Sequence, residues 1–165
     1  MDSFEEFVAS RWSRLVRSAV LMGADVQAAE DLTQTVLARC HRSWRKVRAA
    51  DDPDAYVHRM LINALRDSRR RRWWGEQPSD QLPDRAIGGS VDAVEDRDLL
   101  RAALARLPLP QRQVVVLRFW ADLTERQTAE VLGVAVGTVK SRAARALAAL
   151  EGDPELEQLR NGAGS

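Results

Sequence analysis

Cysteine, histidine and lysine are scarce in this chain. Cys40 is the only cysteine, so no disulfide can form within it, and His41 and His58 are the only histidines. No metal site and no cysteine–histidine dyad can be assembled from so few groups, and no cofactor is expected. Cys40 lies on an apolar helical face and reads as core. No apolar run reaches the roughly 20 residues that cross a bilayer. The N-terminal MDSFEEF is acidic, where a secretory leader would be basic and then apolar. A cytoplasmic protein with no membrane association is expected. Strand alternation is nearly absent, which leaves an all-α fold.

The formal charge is only +1, but its distribution is uneven. Residues 39–75 hold eleven arginines and lysines against four acids, a net +7. Residues 101–150 hold eight against three, a net +5, and the stretch 76–100 between them holds two against seven. Two basic blocks around an acidic one suit two separate contacts with a polyanion. Lys46 and Lys140 are the only lysines, so arginine carries nearly all of the positive charge.

Helical signals follow one another along the chain. The first helix is expected over Ser3–Met22, ended by Gly23. Asp25 then caps a second over Val26–Lys46, with Leu32, Val36, Cys40 and Trp44 inward and Asp31, Gln34, Thr35 and Arg42 outward. Asp52-Pro53 opens a third, running to Arg72. Acids at its start and Arg69 to Arg72 at its end complement the helix dipole. Four consecutive arginines exceed what capping needs, and Trp73 and Trp74 follow them, so phosphate contact with base stacking is expected there. Residues 75–90, GEQPSDQLPDRAIGGS, read as an acidic flexible linker. A fourth helix spans Val91–Arg106, and Pro110 opens another over QRQVVVLRFW. Residues 151–165 read as a polar, frayed tail. The chain is therefore two small helical domains, 1–74 and 91–150.

Within the second domain, TERQTAEVLGVAVGTVKSRAARALAAL (124–150) has the form of a helix-turn-helix. Thr124 caps a short helix, Gly133 supplies a turn with positive φ, and a second helix starts near Val136. Its inner face carries Val139, Ala143, Ala146, Leu147 and Leu150. Its outer face is basic and built of small residues, with Lys140, Ser141, Ala144, Arg145 and Ala148, so a double helix could approach it. An ordinary helical hairpin with a solvated face is the alternative.

Three blocks resemble the extracytoplasmic-function (group IV) sigma factors of bacterial RNA polymerase. AEDLTQTVLARCHRSW (29–44) resembles the helix that docks on the clamp coiled coil of the largest polymerase subunit. DDPDAYVHRMLINALRDSRRRRWW (51–74) resembles the segment that melts and reads the −10 element. LPLPQRQVVVLRFWADLTERQTAEVLGVAVGTVKSRAARALAAL (107–150) resembles the −35 reader, and VGTVKSRAARA is its most specific part. RRRRWW and the lack of N-terminal extensions resemble the actinobacterial SigE-like subgroup. The resemblance implies polymerase docking by Asp31, Gln34, Thr35 and Leu37. It implies −10 contacts by Tyr56, Arg59, Asn63, Arg66, Arg69, Arg70, Arg71, Arg72, Trp73 and Trp74, with Asn63 at an unstacked base. It implies −35 contacts by Thr138, Lys140, Ser141, Arg142, Ala144 and Arg145.

The implied partners are core RNA polymerase and promoter DNA, duplex at −35 and single strand at −10. An anti-sigma factor, which the subgroup often has, is a further implied partner, and the free chain is expected to be a monomer without enzymatic activity. Two positions depart from the pattern. Thr35 stands where the docking motif has glutamate, and Ala135 where the recognition helix has a capping residue. Two other readings are open. An autonomous helix-turn-helix regulator would need a dimer to span two half-sites and leaves residues 25–74 unexplained. A helical adaptor would leave both basic blocks as solvated faces.

Overall fold

A computed structural model describes residues 3–73 and 91–162, and every regular element in them is helical. Helix α1 spans Phe4–Leu21, and the Ser3 hydroxyl caps it by accepting from the Glu6 N–H at 3.2 Å. Met22 and Gly23, the latter at φ 110°, turn the chain. Asp25 then caps α2, Val26–Arg42, by accepting from the Ala28 N–H at 2.8 Å. Each cap satisfies N–H groups that a helix start leaves unbonded.

The second helix is shorter than its apolar repeat suggests. It stops at Ser43, and the chain restarts as α3, Trp44–Ala49. The break lets the Trp44 ring pack edge-on against Phe4 and Phe7, with centroids 5.5 and 5.2 Å away, and puts Val47 into the core. Aromatic contact with another helix overrode a local periodicity.

Helix α4 spans Pro53–Trp73, with an Asp52 carboxylate oxygen accepting from the Ala55 N–H at 3.0 Å. Ala55, Val57, His58, Leu61, Ile62, Ala64 and Leu65 are buried against α1 and α2. Arg11 of α1 grips Asp54 with two guanidinium bonds, 2.5 and 3.2 Å. Such forked pairs fix orientation as well as supplying energy.

The C-terminal half begins with α5, Val91–Arg106, and α6, Leu109–Val115. The expected helix through Trp120 is not uniform. Residues Val116–Trp120 form a single π turn, where the Ala121 N–H reaches back to the Val116 carbonyl at 3.0 Å. The wider turn buries Val116 and Leu117 together and delivers Leu123 into the core. Helix α7 spans Glu125–Leu132 and α8 spans Val136–Glu151. Thr124 and Gln127 form a reciprocal capping box at the start of α7, and Gly133 ends it at φ 67°. Ala135 caps α8 through its backbone alone.

The tail differs from expectation: α9 spans Pro154–Gly162. The Asp153 carboxylate accepts from the N–H groups of Glu155 and Leu156 and pairs with Arg106 at 2.6 Å. Asp-Pro followed by acids is a helix-start signal that the frayed-tail reading passed over.

One core runs through most of the molecule. Phe7, Leu15, Val36, Leu61 and Ile62 are continuous with Leu104, Leu117, Leu123 and Val131 of the C-terminal half. A smaller cluster of Val114, Ala129 and Val139 holds the helix-turn-helix together.

His58 is fully buried inside this core. Its Nδ1 lies 2.7 Å from the Asp54 carbonyl, and Nε2 has no partner among the described residues. Since a carbonyl only accepts, Nδ1 carries the proton of a neutral ring. Burial lowers the His58 pKa, and Arg14 and Arg11 lower it further, against the raising effect of Asp54. Below the unfolded value of about 6.5 the unfolded chain binds a proton that the folded chain refuses, so stability falls with pH at up to about 1.4 kcal/mol per unit from this group. Because the window from pH 7.5 to 5.5 is centred on the unfolded value, urea unfolding of His58→Phe should lose at most about 1.4 kcal/mol of the wild type's total fall in stability across it. An unchanged slope would place the titration elsewhere.

Candidate nucleic-acid interface

Helix α8 presents the face expected of a groove reader. Lys140, Ser141, Ala144 and Arg145 are exposed, while Val139 and Ala146 are fully buried on the opposite side. Thr138 and Arg142 flank the face half-buried. The Ser141 hydroxyl donates to the Thr138 carbonyl at 3.1 Å, and Lys140 lies 3.8 Å from Glu125 of α7. That ion pair is exposed and weak. One inner-face assignment is corrected: Leu147 is 40% exposed, because at about 100° per residue it sits roughly 80° round the helix from Val139, off the line through Ala146.

Helix α2 carries Asp31, Gln34 and Thr35 on its exposed side. The Thr35 hydroxyl donates to the Asp31 carbonyl at 3.0 Å, and the Gln27 amide donates to the Asp31 carboxylate at 3.1 Å. Leu37 is a correction. It is buried in the core and supports this face from beneath rather than contacting a partner.

Helix α4 brings Arg59, Asn63 and Arg66 to one exposed face, at spacings of four and three. Asn63 is not a core asparagine satisfied by a neighbouring helix; it is open to solvent between buried Ile62 and Ala64. Tyr56, one turn before Arg59, is half-buried where α7 crosses. Trp73 is 86% exposed, an uncommon state for so large a ring, and Arg70 and Arg71 are exposed beside it. Arg72 lies 3.6 Å from Asp25. Trp74 and the linker over residues 75–90 lie outside the described residues.

Arg69 departs from its three neighbours. Its guanidinium donates to the Met22 carbonyl at the end of α1. Burial lowers its pKa, as do the nearby positive charges of Arg112 and Arg72. Arg112 of α6 approaches the same turn, and a side chain at Gly23 would meet its guanidinium at 3.1 Å. Arg112 also donates to the carbonyls of Ala105 and Leu107 at 3.0 and 3.2 Å. Sequence reasoning missed this junction, because its members are distant in the chain and are joined only by packing. Among the described residues there is no cluster of His, Cys, Asp and Glu that could hold a metal ion.

An exposed polar face on α2, a helix with exposed arginine and asparagine, and a helix-turn-helix together have the form of a two-part factor of the sigma-70 type. Residues 8–75 match the family profile Sigma-70 region 2, and residues 97–150 match Sigma-70, region 4. The chain is 40% identical over 156 residues to the RNA polymerase sigma-E factor of Streptomyces avermitilis, covering 94% of this chain and 87% of that one. It is 33% identical to the ECF RNA polymerase sigma factor SigM of Mycobacterium tuberculosis, covering 90% and 75%. The protein belongs to the extracytoplasmic-function sigma factors, with the sigma-E-type actinobacterial members among its relatives. In fold it is similar to the sigma factor RpoE of Bartonella quintana, crystallised with the anti-sigma factor NepR, at a TM-score of 0.73 and 24% identity over 92% of this chain and 96% of that one. It is also similar to CnrH, solved with the cytosolic domain of CnrY, at a TM-score of 0.65 and 24% identity over 90% and 84%.

The separate position of Arg69 has a measurable consequence. Arg69→Ala should lower stability by about 1–2 kcal/mol, the worth of a half-buried charge-assisted bond to a carbonyl. Arg70→Ala and Arg71→Ala should change it by less than about 0.5 kcal/mol, as exposed substitutions do. Chemical denaturation of the three variants checks the contrast; equal effects would return Arg69 to the solvated row.

Proposed function

We propose that this sigma factor divides promoter recognition between residues 1–74 and residues 91–150. Asp31, Gln34 and Thr35 dock on the clamp coiled coil of core RNA polymerase. Tyr56, Arg59, Asn63 and Arg66 form the −10 surface, with Arg70, Arg71 and Trp73 extending it along the strand. Lys140, Ser141, Ala144 and Arg145 read the −35 element, flanked by Thr138 and Arg142. The chain performs no covalent chemistry. It works in the cytoplasm, where its polymerase and promoter are, and among the described residues no helix is long and apolar enough to cross a membrane. An anti-sigma factor is proposed as its regulator, because both solved neighbours were captured with a partner of that kind or with the cytosolic domain of another protein.

The physical division of labour is as follows. Arginine contacts to phosphate supply affinity without sequence information and make binding salt-dependent. Side chains of α8 supply major-groove readout. Opening the −10 duplex costs about a few kcal/mol per unstacked step. Capturing an extruded base offsets part of that cost, since an amide can donate and accept at one base edge. The observation that carries this reading is the solvent-exposed Asn63 between Arg59 and Arg66 on a helix otherwise apolar at that level.

Asn63→Ala should therefore fold and bind polymerase as the wild type does, yet fail to open the promoter. Permanganate reactivity of −10 thymines in the holoenzyme complex measures this, and a pre-melted bubble should restore most of the activity lost through melting. Full thymine reactivity in the variant would remove Asn63 from the melting site. Arg145→Ala should cost about 1–3 kcal/mol at −35 with relaxed preference at one base pair, as expected for a bidentate base contact. An even loss over all −35 variants, with the salt slope reduced by about one, would make Arg145 a phosphate contact instead.

A further inference from the structure

The turn between α1 and α2 gathers more positive charge than its carboxylates answer. Arg69 of α4 and Arg112 of α6 both reach it. Arg112 Nη1 lies 3.1 Å, and Arg69 Nη2 3.7 Å, from the position that a side chain on Gly23 would take. Glycine leaves that position open. Gly23 itself is exposed, so a small solute can approach both guanidiniums from solvent. Arg72, one turn after Arg69, is the third cation, and it lies 3.6 Å from Asp25. Among the described residues Asp25 is the only carboxylate paired with any of the three, so two positive charges remain in excess.

Backbone carbonyls do not cancel that excess. Arg69 donates to the Met22 carbonyl, and Arg112 to those of Ala105 and Leu107. A carbonyl at a helix end offers a partial charge, not a full one. These bonds also use only Nη2 of each guanidinium. The Arg112 Nε is buried and has no hydrogen-bond partner among the described residues. A buried donor left in that state is uncommon in a folded protein. Arg112 and Arg72 also act on Arg69 with like charge, which lowers its pKa. Cations from two distant helices, held together with donors to spare, suit an oxyanion that accepts from both.

We propose that Arg69, Arg72 and Arg112 form a binding site for a phosphate dianion, either free phosphate or the terminal phosphoryl group of a nucleotide. Charge selects this class. A terminal phosphoryl group carries about −1.5 to −2 near pH 7, which matches the excess of positive charge. A phosphate within a nucleic-acid strand carries a single charge. Shape points the same way. Arg69 and Arg112 are half-buried around one turn, whereas Arg59, Arg66, Arg70 and Arg71 are exposed along a helix where a strand can run. The bound ion joins α4, α6 and the α1–α2 turn. None of the three arginines belongs to the promoter-reading surfaces proposed above, so the site and those surfaces are tested separately.

The probe is inorganic phosphate at pH 7.5, with sodium chloride at matched ionic strength as the reference, added to the full chain. In amide NMR spectra of the wild type the Gly23 signal should shift and saturate with phosphate, and calorimetry should give the same Kd. Arg112→Gln should weaken phosphate binding at least about tenfold, with helicity by circular dichroism equal to wild type. Arg39→Gln removes the same charge from an exposed position about 20 Å away along α2. It should leave the affinity within about twofold. Should Arg112→Gln lose helicity, the Gly23 shift of the wild type still reads the site, and Arg72→Gln, at a more exposed side chain, should weaken binding at least about threefold.

Adenosine diphosphate binding at least as tightly as phosphate would assign the site to a nucleotide's terminal phosphoryl group, and weaker binding would assign it to the free ion. A Gly23 amide that phosphate moves no more than chloride does would overturn the proposal. So would a helical Arg112→Gln chain that binds phosphate as the wild type does, or a single-stranded oligonucleotide without terminal phosphate that shifts Gly23 more strongly than phosphate.

Discussion

Asp52 uses one carboxylate oxygen to cap α4 and the other to receive Gln127 from α7. The long helix that carries the exposed Arg59, Asn63 and Arg66 therefore starts at the same atom group that holds the C-terminal half in place. The reason such a junction matters is size. Each half is too small to bury much apolar surface alone. Leu117, Leu123 and Val131 complete the interior around Leu61 and Ile62 when the halves meet. The contact between modules therefore completes the interior, and it half-covers Tyr56 while leaving Arg59, Asn63 and Arg66 exposed.

Charge follows a similar economy. Most of the arginines remain on outward faces, where a polyanion can reach them. A few serve as structure: half-buried Arg11 locks Asp54, half-buried Arg69 takes the carbonyl at the end of α1, and exposed Arg106 anchors the cap of α9. Arginine suits this double use because its fork can satisfy carbonyls and carboxylates in fixed geometry and remains charged when half-buried. The same RRRR run thus contains one structural member and three exposed ones, although the four are identical as letters.

Local signals in the sequence were legible wherever the physics was local. The Asp25, Asp52 and Thr124 caps all sit at helix starts, and the Gly133 turn adopts its positive φ. The basic outer face of α8 was readable from the 3.6-residue period alone. Most of the errors share one cause, packing against distant elements. Ser43 breaks a helix because Trp44 finds two phenylalanine rings on α1, and the π turn at Val116–Trp120 exists because the core takes Val116, Leu117 and Leu123 together. Leu37 was implied as a docking residue by the family resemblance, but its side chain is buried in the core. The frayed-tail reading was a misjudged local signal, since Asp153-Pro154 was there to be read.

By itself the sequence determined the all-α class, the capped helix starts, the helix-turn-helix and the family, because caps, periodicity and motif spacing act within about one or two turns of chain. Only the tertiary structure decided which arginine is structural, whether Asn63 faces solvent or core, and that α7 rests on α4. Those outcomes depend on groups 40 to 75 positions apart, such as Met22 with Arg69 and Asp52 with Gln127. No pattern along a chain specifies such meetings; they follow from how buried faces are shared among helices.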